Sequence, residues 1–222
     1  DDGAVEAVLF GLGAGEDALA LAALSAKLPH RSYRIARGAG YDMAQLAAGW
    51  ADGAYRFERY LSDTWKKPQL IVGEDAVGAA MIREAVAIDR LRDLVNTPAE
   101  DMGPPDMQAT ISDLAERYGA MLETVIGDAL LDQNYPMVHA VGRAGPQAPR
   151  IMALSWGDES HPKLAIVGKG VAFDTGGLNL KTGNYMRLMK KDMGGAAHAI
   201  ALAELVMGAN MPVYLKLYVP AV

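Results

Sequence analysis

The sequence contains no cysteine among its 222 residues. This absence excludes disulfide bonds and thiolate metal sites, and it is the composition expected of a cytosolic protein. No apolar run approaches the roughly 18 residues that a membrane-spanning helix needs. Basic residues are also in the minority, because 21 Lys and Arg face 27 Asp and Glu, which gives a net charge of −6. This acidic balance argues against nucleic-acid binding and excludes no enzyme class.

Two common functional motifs are missing or incomplete. The four histidines, which are His30, His139, His161 and His198, lack the spacing of a ligand pair such as His-Glu-x-x-His. The run from Gly11 to Gly15 has the first two glycines of a dinucleotide loop, but Glu16 stands where the third glycine belongs. A nucleotide-binding α/β enzyme that uses this loop remains an alternative.

The first 77 residues predict a small α/β domain. Short apolar runs that are typical of strands alternate with Ala- and Leu-rich runs that are typical of helices. Strands are predicted at Val5–Phe10, Ser32–Ala36 and Gln69–Val72, and helices at Asp17–Leu28 and Asp42–Leu61. This β-α-β-α-β order favours a largely parallel sheet in a domain that covers residues 1–77.

A connecting helix and a second domain follow. Apolar residues recur at helical spacing over residues 78–95, and Asn96-Thr97-Pro98 ends the pattern. Residues 96–222 again mix both element types. Pro104 and Pro105 open a helix with a buried stripe at Met107, Ile111, Leu114 and Tyr118. Strands are predicted at Met137–Val141, Ile151–Trp156, Leu164–Val167 and Pro212–Val219, and a helix at Met193–Met207.

The densest group of polar residues lies between Lys163 and Ala197. Lys169, Asp174, Lys181 and Asp192 all follow the predicted strand Leu164–Val167 and are interleaved with glycines. Ligand sites of α/β sheets form beyond the carboxyl ends of their strands. Carboxylates buried in such a cleft cost several kcal/mol unless a positive charge faces them. Lysines or metal ions could supply that charge.

The motifs in this region resemble those of the leucyl aminopeptidases, a dizinc family of cytosolic exopeptidases. VGKGVAFDTGGLNLK and MKKDMGGAA are similar to the active-site region of that family. LRDLVNTPAEDMGPPDM and NYPMVHAVGRAG resemble two upstream segments of the same family. The resemblance covers residues 91–222 and implies a mixed-sheet metallopeptidase catalytic domain after a small α/β domain. It also implies an enzyme that removes N-terminal, leucine-type residues from peptides, a cytoplasmic location and a homo-hexamer.

The resemblance assigns a role to five residues. Lys169, Asp174 and Asp192 would bind two divalent metal ions, zinc or manganese, with Asp174 bridging both. Lys181 would be catalytic and face the oxyanion, and Met189 would line the pocket for the substrate side chain. The sequence does not distinguish between the metals.

Each of these residues also has a simpler interpretation. Lys169 and Lys181 could be ordinary surface lysines, and Met189 could fill the core. Asp174 could be a turn residue that binds its own backbone. Asp192 could be an N-cap, which is compatible with metal binding. An Asp-Thr-Gly motif also occurs in pepsin-like proteases, but those need a pair of such motifs in an all-β setting. Lys190 and Lys191 are interpreted as a solvated surface.

The resemblance further predicts that the chain is a fragment with an incomplete catalytic domain. In the family, a later Asn-Thr-Asp-Ala-Glu-Gly-Arg motif supplies two more metal ligands and a catalytic arginine, and this sequence ends at Val222 before such a motif. The fragment alone is therefore expected to be inactive. The alternative is a non-catalytic family member or fragment with a structural or nucleic-acid-binding role.

Overall fold

The computed structural model describes residues 7–11, 17, 19–36, 40, 42–62 and 65–222. The chain divides into two compact units, Asp1–Ala85 and Val86–Val222. In the part of the chain that the structure describes, no helix combines the length and the apolar character that a membrane span requires.

The first unit contains two short helices and a two-stranded parallel sheet. Its described elements are α1 (Ala22–Ser25), β1 (Ser32–Tyr33), α2 (Met43–Ala54) and β2 (Gln69–Leu70). Asp42 is the N-cap of α2, because its carboxylate accepts a hydrogen bond from Ala44 N at 2.8 Å. Of the predicted strand Val5–Phe10, residues 7–10 are described and form no strand, whereas residues 12–16, with most of the glycine run after it, lie outside the described residues.

Helix α2 packs against α1 through two glycines one turn apart. A Cβ built on Gly53 would lie 1.9 Å from Ala22 O, and one built on Gly49 would lie 3.0 Å from the backbone of Leu19. Any larger residue would therefore push the two segments apart. A small core of Leu21, Leu46, Trp50 and Ala54 forms next to this contact.

The second unit begins within helix α3 (Ala76–Asn96) and contains a mixed sheet. The remaining elements are α4 (Pro104–Tyr118), β3 (Met121–Ile126), α5 (Ala129–Asp132), α6 (Pro136–Gly142), β4 (Arg150–Trp156), β5 (Lys163–Val167), α7 (Gly183–Met186), α8 (Gly194–Gly208) and β6 (Tyr214–Ala221), with 3₁₀ turns at Ala99–Asp101 and Met189–Met193. The sheet order is β3-β4-β6-β5, in which only the β5–β6 pair is parallel. The predicted α/β class with a mixed sheet is confirmed.

Helices α4 and α8 pack on the sheet and form the main core. The predicted stripe of α4 holds for Met107, Ile111 and Leu114, which are fully buried, and its fourth member, Tyr118, is partly buried against the same core. Strand β6 alternates between buried and partly exposed residues, as expected for a strand with one covered face. Its buried residues face the apolar helix α8, whose buried members include Ile200 and Met207. This packing places the start of α8 beside the end of β5.

Within the second unit, one predicted element is wrong and three of the observed helices and strands were not foreseen. Residues Met137–Val141 were expected to form a strand but lie within helix α6, which begins at Pro136. Short apolar runs do not distinguish a helix from a strand, and Met137 and Val141 are largely exposed. The unforeseen elements are β3, which pairs with β4 at the edge of the sheet, and the short helices α5 and α7.

Candidate active site

Beyond the carboxyl end of β5, the chain stays hydrogen-bonded to β6 through Gly168 and Gly170, and Lys169 lies between these two glycines. Gly168 N and Gly170 N donate hydrogen bonds to Tyr218 O and Pro220 O, each at 3.0 Å. The carbonyl of Lys169 in turn accepts a hydrogen bond from Ala196 N, at 2.9 Å, in the first turn of α8. The backbone of Lys169 is therefore held between a strand and a helix terminus.

Glycine permits this close approach of strand and helix. A Cβ on Gly168 would lie 2.6 Å from both Ala196 Cα and Gly195 O. These are backbone atoms, which cannot move aside as a flexible side chain could. Because α8 is preceded directly by the Met189–Met193 turn, the contact brings Lys169 next to Asp192.

Lys169 and Asp192 form an ion pair with an unusual feature. Lys169 Nζ lies 2.7 Å from Asp192 Oδ2, and the Asp192 side chain is only 16% exposed. Oδ2 nevertheless has no hydrogen-bond partner within the described part of the chain, so the contact is ionic without hydrogen-bond geometry. Buried carboxylate oxygens are normally hydrogen-bonded or bound to a cation. Asp192 does not cap α8, since Met193 occupies the cap position.

Asp174 and Lys181 form a second ion pair that a local loop closes. Lys181 Nζ donates to Asp174 Oδ2 at 2.7 Å, and Gly176 N donates to Asp174 Oδ1 at the same distance. Gly176 and Gly177 have φ angles of 80° and 102°, which favour glycine. Lys181 N also donates to Thr175 O at 3.0 Å and so closes the loop. Asp174 therefore accepts a backbone hydrogen bond of its own turn through one oxygen and binds Lys181 through the other.

Electrostatics connect the two pairs. A hydrogen bond from Lys181, a second from the Gly176 amide, and the positive charges of Lys181 and Lys169 hold the pKa of the Asp174 carboxyl below its usual range. Lys169 thus acts on both Asp192 and Asp174. Asp174 remains an anion at neutral pH, which is the state that a cation requires.

The substrate-pocket candidate also belongs to this cluster. Met189 Sδ lies 3.3 Å from Lys181 Nζ, and the Met189 side chain is half-buried. The structure therefore brings together all five residues that the sequence singled out: Lys169, Asp174, Lys181, Met189 and Asp192.

Sequence reasoning missed one residue of this region. Lys190 was interpreted as part of a solvated surface, but its ammonium donates to Val95 O at 3.0 Å and to Asn96 O at 2.5 Å. Burial lowers the pKa of the Lys190 amine below its ordinary value. The acceptors precede Lys190 by 95 and 94 residues, so no local pattern could have revealed the contact.

The donor set fits a divalent cation in part. The cluster offers two carboxylates and one amine, and the buried Asp192 Oδ2 lacks the hydrogen bond that a carboxylate oxygen normally has. Carboxylate oxygens and an amine suit zinc or manganese. Among the described residues, no group of three His, Cys, Asp or Glu side chains is placed to hold a metal. The fit therefore depends on Lys169 as a third donor, through the lone pair of a neutral amine in place of the ammonium that pairs with Asp192.

A cavity in the first unit does not carry this chemistry. It measures about 420 Å³, and Trp50, Leu70 and Met81 are among its mainly apolar lining residues. Every residue that lines it belongs to Asp1–Ala85, whereas the charged cluster belongs to Val86–Val222. The charged cluster of the second unit is therefore the candidate active site.

Comparisons with known proteins agree with the fold and the motifs. Residues 89–222 match the family model described as the cytosol aminopeptidase family, catalytic domain, and residues 1–73 match the N-terminal domain of the M17 aminopeptidases. A probable cytosol aminopeptidase of Nocardia farcinica is 34% identical over 82% of this chain and 38% of its own length.

Solved structures give the same result. The cytosol aminopeptidase of Coxiella burnetii superposes with a TM-score of 0.87 at 36% identity, over 93% of this chain and 46% of that one. The bottromycin maturation enzyme BotP in complex with Mn superposes with a TM-score of 0.78 at 31% identity, over 91% of this chain and 47% of its own. The chain thus spans less than half the length of these relatives.

Proposed function

This chain belongs to the cytosol aminopeptidase family, and from that premise we propose that the complete protein carrying it is a metal-dependent aminopeptidase. It removes N-terminal residues, of leucine type, from peptides. The observation that carries the proposal is the cluster of two ion pairs, Lys169–Asp192 and Lys181–Asp174, each with an N–O distance of 2.7 Å.

Lys169, Asp174 and Asp192 would hold the metal, as two divalent ions per subunit that are zinc or manganese. The family membership and the manganese in the BotP structure support this assignment. When bound, such ions supply Lewis acidity and lower the pKa of water, which is the chemistry that amide hydrolysis at neutral pH needs. Asp174 would contribute a carboxylate to both ions, as the family resemblance implies, and Lys181 and Lys169 keep that carboxylate in the anionic form that a metal needs.

Lys181 acts on the substrate. Its ammonium already donates to Asp174, and its side chain is only partly exposed, so it is oriented before a substrate arrives. It donates to the oxygen of the scissile carbonyl and stabilises the negative charge that develops there. A donor fixed in place beforehand requires little reorganisation during the reaction.

Met189 receives the side chain of the N-terminal residue. Its sulfur contacts the Lys181 ammonium, so a substrate side chain packed on Met189 places its own carbonyl close to Lys181. Thioethers are apolar and adaptable, which suits an aliphatic side chain. We further propose a cytoplasmic location, which the names of the curated relatives support, and a hexameric assembly.

The proposal is tested with the complete protein after chelation and dialysis. Hydrolysis of L-leucine p-nitroanilide should be absent after chelation and should return with Mn²⁺ or Zn²⁺. Asp192→Asn should abolish that return, because it removes a charged metal donor. Asp158→Asn is the matched control, since Asp158 lies exposed in the turn between β4 and β5. Activity that survives chelation, or no activity with any divalent metal, would contradict the proposal.

A further inference from the structure

Lys190 binds the last carbonyls of helix α3. Its ammonium donates to Val95 O and Asn96 O, which are in the final turn of Ala76–Asn96. The last four carbonyls of any helix lack partners within the helix, and they carry the negative end of its dipole. A lysine ammonium is therefore a well-suited partner, in both hydrogen bonding and charge.

The remaining contacts at this helix end show that it is an ordered anchor. Thr97 N and Thr97 Oγ1 both donate to Asp93 O, at 3.0 and 2.7 Å, and Thr97 is 2% exposed. Val95 packs against the main core. The two carbonyls that Lys190 binds are thus fixed in position by their own surroundings.

The other end of this contact lies within the proposed site. Lys190 belongs to the 3₁₀ turn Met189–Met193, next to the residue that touches Lys181 and two residues before Asp192. Met193, at the end of the turn, is buried, so the turn is anchored in the core on its carboxyl side. Lys190 supplies the anchor on the amino side.

We propose that Lys190 is a positioning residue that ties the Met189–Met193 turn to the end of α3 and so sets the placement of Asp192 and Met189. The inference rests on the proposed function only for the roles of those two residues. Lys190 itself touches neither metal nor substrate, because its ammonium is committed to the two carbonyls. Its neighbour Lys191 is exposed and provides a matched control.

The test compares Lys190→Met, Lys190→Arg and Lys191→Met in the complete protein. The first readout is amide hydrogen exchange of residues 189–193 without metal. The second is Mn²⁺ affinity, read from the electron paramagnetic resonance signal of free Mn²⁺ at a temperature where circular dichroism shows each variant folded. Lys190→Met should accelerate exchange in the turn and weaken Mn²⁺ binding about tenfold or more, the usual effect of losing a partner that orients a ligand. Lys190→Arg should restore most of both properties, and Lys191→Met should change neither.

The outcomes separate this inference from the proposed function. A Lys190→Met protein with a lower melting temperature but unchanged Mn²⁺ affinity and unchanged exchange in the turn overturns the positioning role. A wild-type protein that binds neither Mn²⁺ nor Zn²⁺ contradicts the proposed function instead. In that case hydrogen exchange of residues 189–193 alone tests the positioning role of Lys190, since that measurement needs no metal. Equal exchange in wild type and Lys190→Met would overturn the positioning role.

Discussion

Replacing Glu204 by Gln should destabilise the second unit more than any exposed charge change. Glu204 lies on α8 and is only 4% exposed. Its carboxylate accepts from Arg90 Nε of α3 at 2.7 Å and from Arg117 Nη1 of α4 at 2.9 Å. The three residues thus join three helices through one buried anion.

The expected magnitude follows from the exposure of each partner. Breaking a fully buried ion pair costs about 3–5 kcal/mol, because an uncompensated charge is left behind. The Arg90 side chain is 22% exposed and that of Arg117 is 47% exposed, so water compensates part of the loss. Glutamine also keeps one acceptor oxygen. We therefore expect Glu204→Gln to lower the free energy of unfolding by about 2–3 kcal/mol.

Single changes of the two arginines should differ in size. Arg90→Met should cost about 2–4 kcal/mol, because Glu204 then keeps only a half-exposed partner. Arg117→Met should cost at most about 1 kcal/mol, since Arg117 is half-exposed and Arg90 still neutralises Glu204. Glu116→Gln, a change of the same type at an exposed position of α4, should stay within about 0.5 kcal/mol of wild type.

Native-state hydrogen exchange of the β4 and β6 amides measures these differences, because the slowest amides of a core sheet report the unfolding of the whole unit. The reasoning is refuted by a Glu204→Gln protein within about 0.5 kcal/mol of wild type. A larger loss for Arg117→Met than for Arg90→Met would also refute it, since the order of the two costs depends only on their exposure.

Three further predictions concern the site. Lys181→Ala in the complete protein should lower kcat by a factor of about 10²–10³, because it removes a donor used mainly in the transition state. KM should change little and the metal content should stay complete, which steady-state kinetics and elemental analysis measure. Asp174→Ala should lose both metal ions and Asp192→Ala only one, by native mass spectrometry, and unchanged stoichiometry in Asp174→Ala refutes the bridging role. Gly168→Ala should cost about 1–3 kcal/mol in chemical denaturation, since its Cβ meets backbone at 2.6 Å, whereas Gly183→Ala, with nothing within 4 Å, should cost far less.

Local sequence patterns predicted the elements that build the site. The apolar run at Leu164–Val167 became β5, and the glycine-flanked charges after it converge as expected. The Asp174–Lys181 contact spans seven residues, so the turn chemistry of its glycines could indicate it. Helix α3 and the buried stripe of α4 followed from spacing alone.

The contacts that sequence reasoning missed connect residues far apart in the chain. Glu204 is separated from Arg90 by 114 residues and from Arg117 by 87. A single acid in an apolar helix indicates a buried charge, but its partners depend on how three helices pack. The same holds for Lys190, whose run of two lysines is typical of a surface. The helix at Pro136–Gly142 was mistaken for a strand because seven residues hold too little periodicity to decide.

The two halves of the site therefore depend on different parts of the fold. Asp174 and Lys181 lie on one loop that its own hydrogen bonds close, so changes there should leave the core unaffected. Lys169 and Asp192 meet only because β5 and α8 pack closely at Gly168, and α8 is fixed in turn through Glu204. Mutations in the core of the second unit should consequently weaken the Lys169–Asp192 half first. Lys190 belongs to this second half, since it fixes the turn that precedes α8 to a helix end in the same core.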